Sequence, residues 1–385
     1  MPKITMQLPN YKNGSIVNLM SSLARSFQGE TPYAPLKGLD QEIFENKNVV
    51  LFIIDGLGYE FLKKHGRGGF LYKHVKQKIT SVFPSTTAAG VTAFLTGVPA
   101  QQHGLTGWFL YLKELGLVSR ILPFTTRAGR IPLDEKIKFS DVFQEKTFFE
   151  KIKADCRAMQ KKDYADSAYS SSLTRGAKKL SYHSSNSLFN NLTQALKDKR
   201  GRKFIYAYWD GFDAVCHDHG LESEKTLKHF KKLDGKLAAL AGQLENTVLV
   251  VTADHGMIDT PADKIINLEN HAELSAMLSA PLCGEPRLAY CYIKAGLARQ
   301  FEKYIKKNLK KYCVPRKSQV LIKKNYFGLF APCPKLYDRV GDYALIMKEN
   351  YIIRDFVKAE KREVPVSNHG GLSREEMFVP LAIYY

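Results

Sequence analysis

Seven residues in this 385-residue chain have the side chains and the local settings to do chemistry together: Asp55, Thr87, Asp213, His217, Asp254, His255 and His369. Six of them carry carboxylate or imidazole groups, the oxygen and nitrogen ligands that divalent cations accept, and none is a thiolate. The seventh offers a hydroxyl. A threonine oxygen is a poor nucleophile at neutral pH until a cation or a base activates it, so this set is what a two-cation phosphoryl-transfer site requires.

The carboxylates follow strands. Residues 48–54 (NVVLFII) are apolar and β-branched almost throughout, the pattern of a strand buried on both faces, and the run stops at Asp55. Gly56-Leu57-Gly58 comes next and lets backbone approach a ligand closely. Taken alone, Asp55 reads equally well as a helix cap; a dinucleotide fingerprint fits less well, because its third glycine is missing. Residues 203–209 (KFIYAYW) lead into Asp210-Gly211-Phe212-Asp213, and residues 246–252 (NTVLVVT) lead through Ala253 into Asp254-His255-Gly256. In open α/β sheets, ligand-binding groups gather beyond the carboxyl ends of parallel strands. Asp213 and His217 are four apart, so a helix there projects both from one face with the spacing one cation needs, although such pairs are also common on solvated surfaces. Asp218 and His219 lie beside them and are read as supporting or structural.

Phe83-Pro84-Ser85-Thr86-Thr87-Ala88-Ala89-Gly90 opens a small-residue stretch, 88–95, that reads as a helix closed by Gly97. Ser85 or Thr86 suits the N-cap, which puts Thr87 in the first turn, where free amides and the dipole favour an anionic phosphate. A plain helix cap is the alternative reading of this octapeptide. His369 stands in the loop Asn368-His369-Gly370-Gly371-Leu372-Ser373, with no persuasive strand before it.

Taken in order, the segments 49–58, 83–107, 206–220, 249–257 and 368–381 resemble the alkaline phosphatase superfamily, and within it the nucleotide pyrophosphatase/phosphodiesterase branch. The resemblance spans nearly the whole chain. It implies one cation held by Asp213, His217 and His369, a second held by Asp55, Asp254 and His255, and Thr87 as the nucleophile between them. It also implies a two-step hydrolysis of a phosphodiester or phosphoanhydride through a phospho-threonine, on a small phosphorylated substrate such as a nucleotide. Zinc suits the ligand set first, and manganese is tolerated. One position departs from the pattern. Relatives carry a phosphate-binding asparagine where this chain has Trp108, and no asparagine is nearby. Trp108, with Phe109 and Tyr111, is therefore a candidate substrate contact that stacks on a base or packs an apolar leaving group, or else a core or loop aromatic. The residues after Thr87 do not fit a sulfatase, whose nucleophile sits in C/S-x-P-x-R, and a phosphoglycerate mutase would use serine. A phosphonate or phosphomonoester hydrolase or a phosphotransferase on the same residues stands as an alternative. So, from another class, does a basic nucleic-acid or anionic-surface binding protein with a vestigial site.

The elements that must position these groups predict an α/β fold: a mostly parallel central sheet flanked by helices, with a smaller inserted α+β cap. The core is expected over residues 1–275 and 354–385, and the cap over 276–353. Within the cap, 288–294 reads as a strand, 295–312 as a helix, and 319–323 and 343–348 as strands. Specificity is expected from the cap and from 108–130. Residues 15–23 read as a helix packed on the sheet.

Hydrophobic content of 44% and charged content of 25% fit a folded, soluble protein of this size. No charged-then-apolar leader opens the chain and runs such as 49–54 are too short to span a bilayer, so a cytoplasmic location is expected. Six cysteines show no C-x-x-C spacing, which argues against a structural thiolate zinc site; Cys216, beside His217, reads as a small buried residue, with oxidation near the metals as the other reading. The net charge of +19 is concentrated in part on Lys303, Lys306, Lys307, Lys310, Lys311, Arg316, Lys317, Lys323 and Lys324. Such a face attracts nucleotides, nucleic acid or anionic surfaces, or is simply solvated.

Overall fold

In the computed structural model, which describes residues 6–198, 200–358, 360, 362 and 364–385, the three apolar runs form adjacent strands. β1 (Asn48–Ile54) lies between β2 (Lys203–Trp209) and β3 (Thr247–Thr252), parallel to both. The register pairs Ile54 with Trp209 and Ile53 with Thr252, so all three strands end at one edge and release their acidic residues there. Asp155–Lys161 and Lys178–Tyr182 extend the parallel sheet beyond β2. On the other side, Phe378–Tyr384 runs antiparallel between β3 and Val75–Thr80. The ligand strands are buried at nearly every position, as their unbroken apolar sequence requires of strands covered on both faces.

A second sheet is wholly antiparallel, in the order Cys313–Lys317, Tyr343–Met347, Leu288–Cys291, Cys283–Glu285, Phe109–Leu112, Leu117–Arg120 and Thr125–Thr126. It joins strands of the 276–353 segment to a hairpin that follows the Thr87 helix in the chain, through the pair Gly284 and Phe109. The strand expected at 319–323 is instead a helix, Ser318–Lys323. Ser318, Leu321 and Ile322 are buried while Gln319, Val320 and Lys323 are exposed, a spacing of three and four that fits a helical face. The helix expected over 295–312 begins at Ala298 and runs to Tyr304, then continues through a wider turn, Ile305–Leu309. Phe301, Ile305 and Leu309 pack inward, and Lys303, Lys306, Lys307, Lys310 and Lys311 face solvent.

The N-terminal helix is Ile16–Ser26, buried through Ala24, and it packs against the helix that begins at Thr87. No helix among the described residues is long and apolar enough to cross a membrane.

Two buried charges lock the second sheet to the first. Arg287 donates through Nε to Glu376 Oε1 at 3.0 Å and through Nη2 to Oε2 at 2.8 Å. Glu376 Oε1 also accepts from the Gly371 amide at 2.7 Å, and the Glu376 carbonyl accepts from the Gly256 amide at 2.8 Å. Burial pushes the Glu376 carboxyl up, but Arg287 and the Gly371 amide outweigh it and hold it below its ordinary value. Its contribution to stability is therefore present above the unfolded carboxylate range and lost as pH falls through the depressed folded value. Replacing Arg287 with Met leaves Glu376 buried and unpaired. Urea unfolding at neutral pH is expected to show a loss of about 3–5 kcal/mol, and a smaller loss in the Arg287→Met/Glu376→Leu double variant.

Candidate active site

The Asp55 amide donates to the Trp209 carbonyl at 3.0 Å, carrying the β1–β2 ladder one residue into the cleft. Tyr208 on β2 donates its hydroxyl to Asp55 Oδ2. Gly56 follows with φ of +76°, and a Cβ there would come within 3.2 Å of Asp213 Cβ, so glycine lets the helix that follows β2 close on the end of β1. That helix, Gly211–His219, presents Asp213 and His217 on one face. Beyond β3, Asp254 is fixed by amides: its Oδ1 accepts from Gly56 at 3.2 Å and from His255 at 3.0 Å.

Thr87 is the first residue of the helix Thr87–Thr96, which Gly97 closes at φ +74°. Thr86 occupies the N-cap position, but its hydroxyl donates to Glu285 Oε1 at 2.5 Å instead of capping the helix. Ser85 donates to the Gly371 carbonyl at 2.7 Å, which ties the threonine loop to the His369 loop. A short strand, Ser367–Asn368, pairs with Ile258–Asp259 and delivers His369.

These elements bring all seven residues together as two adjoining groups. The ligand atoms of Asp55, Asp254 and His255 lie within 4.8 Å of one another, as do those of Asp213, His217 and His369. His255 Nε2 is 3.2 Å from Asp55 Oδ1 and 3.5 Å from Asp254 Oδ2. His217 Nε2 is 3.2 Å from Asp213 Oδ2, and His369 Nε2 is 3.9 Å from Asp213 Oδ1. The rings of His255 and His369 stack with centroids 4.0 Å apart, joining the two groups. Thr87 Oγ1 is 3.1 Å from His255 Nε2. The outer nitrogens of two imidazoles are fixed by carbonyls, His217 Nδ1 on Ser367 at 2.7 Å and His255 Nδ1 on Gly256 at 3.0 Å, which turns each Nε2 inward.

The electrostatics are those of a cation site. Burial, and then the charge of Asp213, raises the Asp55 carboxyl; burial and Asp55 raise Asp254 further. Asp213 goes the other way, because His217 and His369 outweigh its burial. Burial lowers His217 and His255, but Asp213 raises the first to about 9 and Asp254 with Asp55 raises the second to about 10. Asp55 Oδ1, Asp213 Oδ1 and Asp254 Oδ2 are buried and accept no hydrogen bond. Orphaned carboxylate oxygens facing imidazole nitrogens are a costly arrangement that divalent cations satisfy, so the donor set fits two of them.

Trp108 is half-buried and lines a cavity of about 310 Å³ with Asp55, Thr87 and Asp213. Phe109 and Tyr111 belong to the second sheet: the Arg127 guanidinium lies 4.2 Å over Phe109, and Tyr111 packs on Tyr292 with centroids 5.0 Å apart. Asp218 and His219 are exposed. Cys216 is fully buried, and burial pushes its thiol up, so it is protonated and shielded.

Three residues at the site carried no signal in the sequence. Tyr208 and Gln160 lie on strands whose neighbours are uniformly apolar or buried, and Glu285 sits in an unremarkable Cys283-Gly284-Glu285 run. Glu285 Oε1 accepts from the Thr86 hydroxyl and from the Trp108 amide at 2.7 Å. It also packs under the histidine loop: Gly370 has φ +109°, and a Cβ there would come within 2.7 Å of Glu285 Cβ. Burial raises the Glu285 carboxyl to about 7, against the Thr86 and Trp108 donors.

A mostly parallel α/β sheet with these groups at its carboxyl edge has the architecture of alkaline-phosphatase-like proteins. The chain belongs to the type I phosphodiesterase / nucleotide pyrophosphatase family, whose profile matches residues 49–372. That family comprises hydrolytic enzymes. The human bis(5'-adenosyl)-triphosphatase ENPP4 is 31% identical over 102 residues, a match that spans 24% of this chain and only 22% of the relative's length. Murine ectonucleotide pyrophosphatase/phosphodiesterase 5 superposes with a TM-score of 0.66 at 20% identity over 88% of each chain. The phosphonoacetate hydrolase of Sinorhizobium meliloti reaches 0.65 at 19% identity over 88% of this chain and 90% of its own. Likenesses this distant establish a shared fold.

Two outcomes follow from the site's geometry. Protons held by His217 and His255 near pH 8 must leave when cations bind, so loading is expected to release about two protons per chain and to tighten as pH rises toward 10. Titration calorimetry in buffers of differing ionisation enthalpy measures that release. Glu285→Ala is expected to lower kcat about 10- to 100-fold with metal content unchanged, while Glu285→Gln, which keeps the acceptor oxygen, retains most activity. Steady-state kinetics on an aryl phosphodiester reads the difference.

Proposed function

We propose that this chain hydrolyses phosphodiester or phosphoanhydride bonds of nucleotides, with two divalent cations and a covalent phospho-threonine on Thr87. Zinc is the first choice of cation and manganese the second. The observation that carries the reading is the position of Thr87 Oγ1, 3.1 Å from His255 Nε2 at the start of a helix and beside both ligand groups. Held by Asp213, His217 and His369 and by Asp55, Asp254 and His255, the cations supply Lewis-acid polarisation of the reacting oxygens.

The chain's own residues do the rest. The first turn of the Thr87–Thr96 helix directs amide hydrogens and the positive end of its dipole at the phosphoryl oxygens. Trp108 cannot offer its amide, which donates to Glu285. Thr87 Oγ attacks phosphorus as the bond to the leaving alcohol or phosphate breaks on the opposite side, and the threonine proton passes to the departing oxygen. Water then attacks the phospho-threonine, adds its oxygen to the released phosphate, and returns a proton to Thr87.

The cavity beside Thr87 supports a nucleotide over a compact phosphonate. It is lined mainly by aromatic and aliphatic side chains, Trp108, Leu122, Pro123 and Tyr169 among them, and its volume of about 310 Å³ suits a planar ring. Murine ectonucleotide pyrophosphatase/phosphodiesterase 5 has been solved in complex with AMP, which agrees with this substrate class. A cytoplasmic location belongs to the same proposal, supported by six unpaired cysteines, five of them buried.

Thr87→Ala is expected to lower hydrolysis of dinucleotides and aryl diesters more than about 1000-fold while metal content stays near two ions per chain. His369→Ala is expected to lower metal content as well as turnover. Mass spectrometry for metals alongside the kinetics decides both, and full activity in Thr87→Ala refutes the nucleophile.

A further inference from the structure

Gln160 lies near the end of the strand Asp155–Lys161 and is 4% exposed. Its Oε1 is buried without a hydrogen-bond partner. Among other carboxamides, Asn18 donates to Tyr11 and Ala34 and Asn368 to Pro365, while Gln101 Oε1 and both amide ends of Gln41 are also unpaired; of the three glutamines, only Gln160 lines the cavity beside Thr87. A buried amide oxygen with no donor is uncommon in folded proteins, and one that lines the cavity beside Thr87 points to a partner that arrives later.

The place where Gln160 sits defines that partner. The side chain lines the cavity that also contains Thr87 and Asp213, among walls supplied by Trp108, Tyr164 and Tyr169. A group bonded to the reacting phosphate therefore enters an aromatic slot with one polar amide in its lining. A carboxamide presents a donor and an acceptor side by side, the pattern that pairs in two bonds with the edge of a base such as adenine. Turning the amide over exchanges its ends, so either order of donor and acceptor can be met.

We propose that Gln160 is the residue that recognises the base of the substrate, taking the adjacent donor and acceptor on the edge of a planar heterocycle lodged in this cavity. The inference rests on the nucleotide reading above and adds to it the group that separates a nucleobase from a plain aryl or alkyl substituent.

The test uses binding, so it does not depend on turnover. In the metal-loaded Thr87→Ala protein, calorimetry with AMP and with ribose 5-phosphate separates the contribution of the base from that of the phosphate. Adding Gln160→Met keeps the side chain's length and removes a buried amide oxygen that has no partner, so the variant is expected to melt no lower than its parent. AMP affinity is expected to fall about tenfold or more, with ribose 5-phosphate changing less than about twofold. Unchanged AMP affinity, or an equal fall for both ligands, overturns the proposal. On the unsubstituted metal-loaded chain, saturation-transfer spectra are expected to show the adenine H2 and H8 protons as the most strongly saturated in AMP; strongest saturation on the ribose overturns it too. Base-dependent binding without hydrolysis of any ester would sink the phosphodiesterase reading and leave Gln160 in place. Hydrolysis of aryl diesters without base discrimination would do the reverse.

Discussion

Like charges held close together in a buried pocket are the constraint on which this molecule is organised. Asp55 and Asp254 are buried and Asp213 nearly so, each with a carboxylate oxygen that accepts no hydrogen bond. Water cannot solvate these oxygens and their mutual repulsion raises two of the three carboxyls. Protonated His217 and His255 offset the charge in part, and divalent cations held by these side chains would neutralise the rest. The same arrangement that destabilises the metal-free fold would favour cation binding, because the candidate ligands are already placed and the fold cannot spread them apart.

The fold resists that repulsion by cross-bracing. β1, β2 and β3 end in register, so the acidic residues emerge at one edge with no freedom to slide. The loops that follow are tied to one another and not merely to their own strands. Ser81 donates to the Asp254 carbonyl, Ser85 to Gly371, His217 to Ser367, and Gly256 to Glu376. The second sheet adds two buried acid contacts, Glu285 on Thr86 and Trp108, and Arg287 on Glu376. It thus borders the cavity beside Thr87 and also fixes the loop that leads into the Thr87 helix.

Much of this was legible in the chain because local pattern and burial agree. Unbroken apolar runs announced strands covered on both faces, and an acid at the end of each run marked the sheet's active edge. The i, i+4 pair of Asp213 and His217 and the Gly97 stop of the threonine helix were equally local. His369 was not legible in that way, since its loop is shaped by bonds to Ser85 and Glu376 and only the family resemblance pointed to it. The run 319–323 forms a helix where a strand is expected, because a short apolar stretch fits either and its buried positions, Ser318, Leu321 and Ile322, fall at helical spacing. The hairpin over 109–126 joined the second sheet through a pairing with Gly284, and Glu285 met Thr86 across 199 residues; no periodicity records contacts of that reach.

The central claim is that the two ligand groups hold a pair of cations with Thr87 between them. Crystals grown with manganese and measured for anomalous scattering test it most directly. The account predicts two peaks about 3.5–4 Å apart, one within reach of Asp213, His217 and His369, the other within reach of Asp55, Asp254 and His255, with Thr87 Oγ facing both. A single peak, or peaks bound away from these side chains with Thr87 turned out of the cleft, would contradict it.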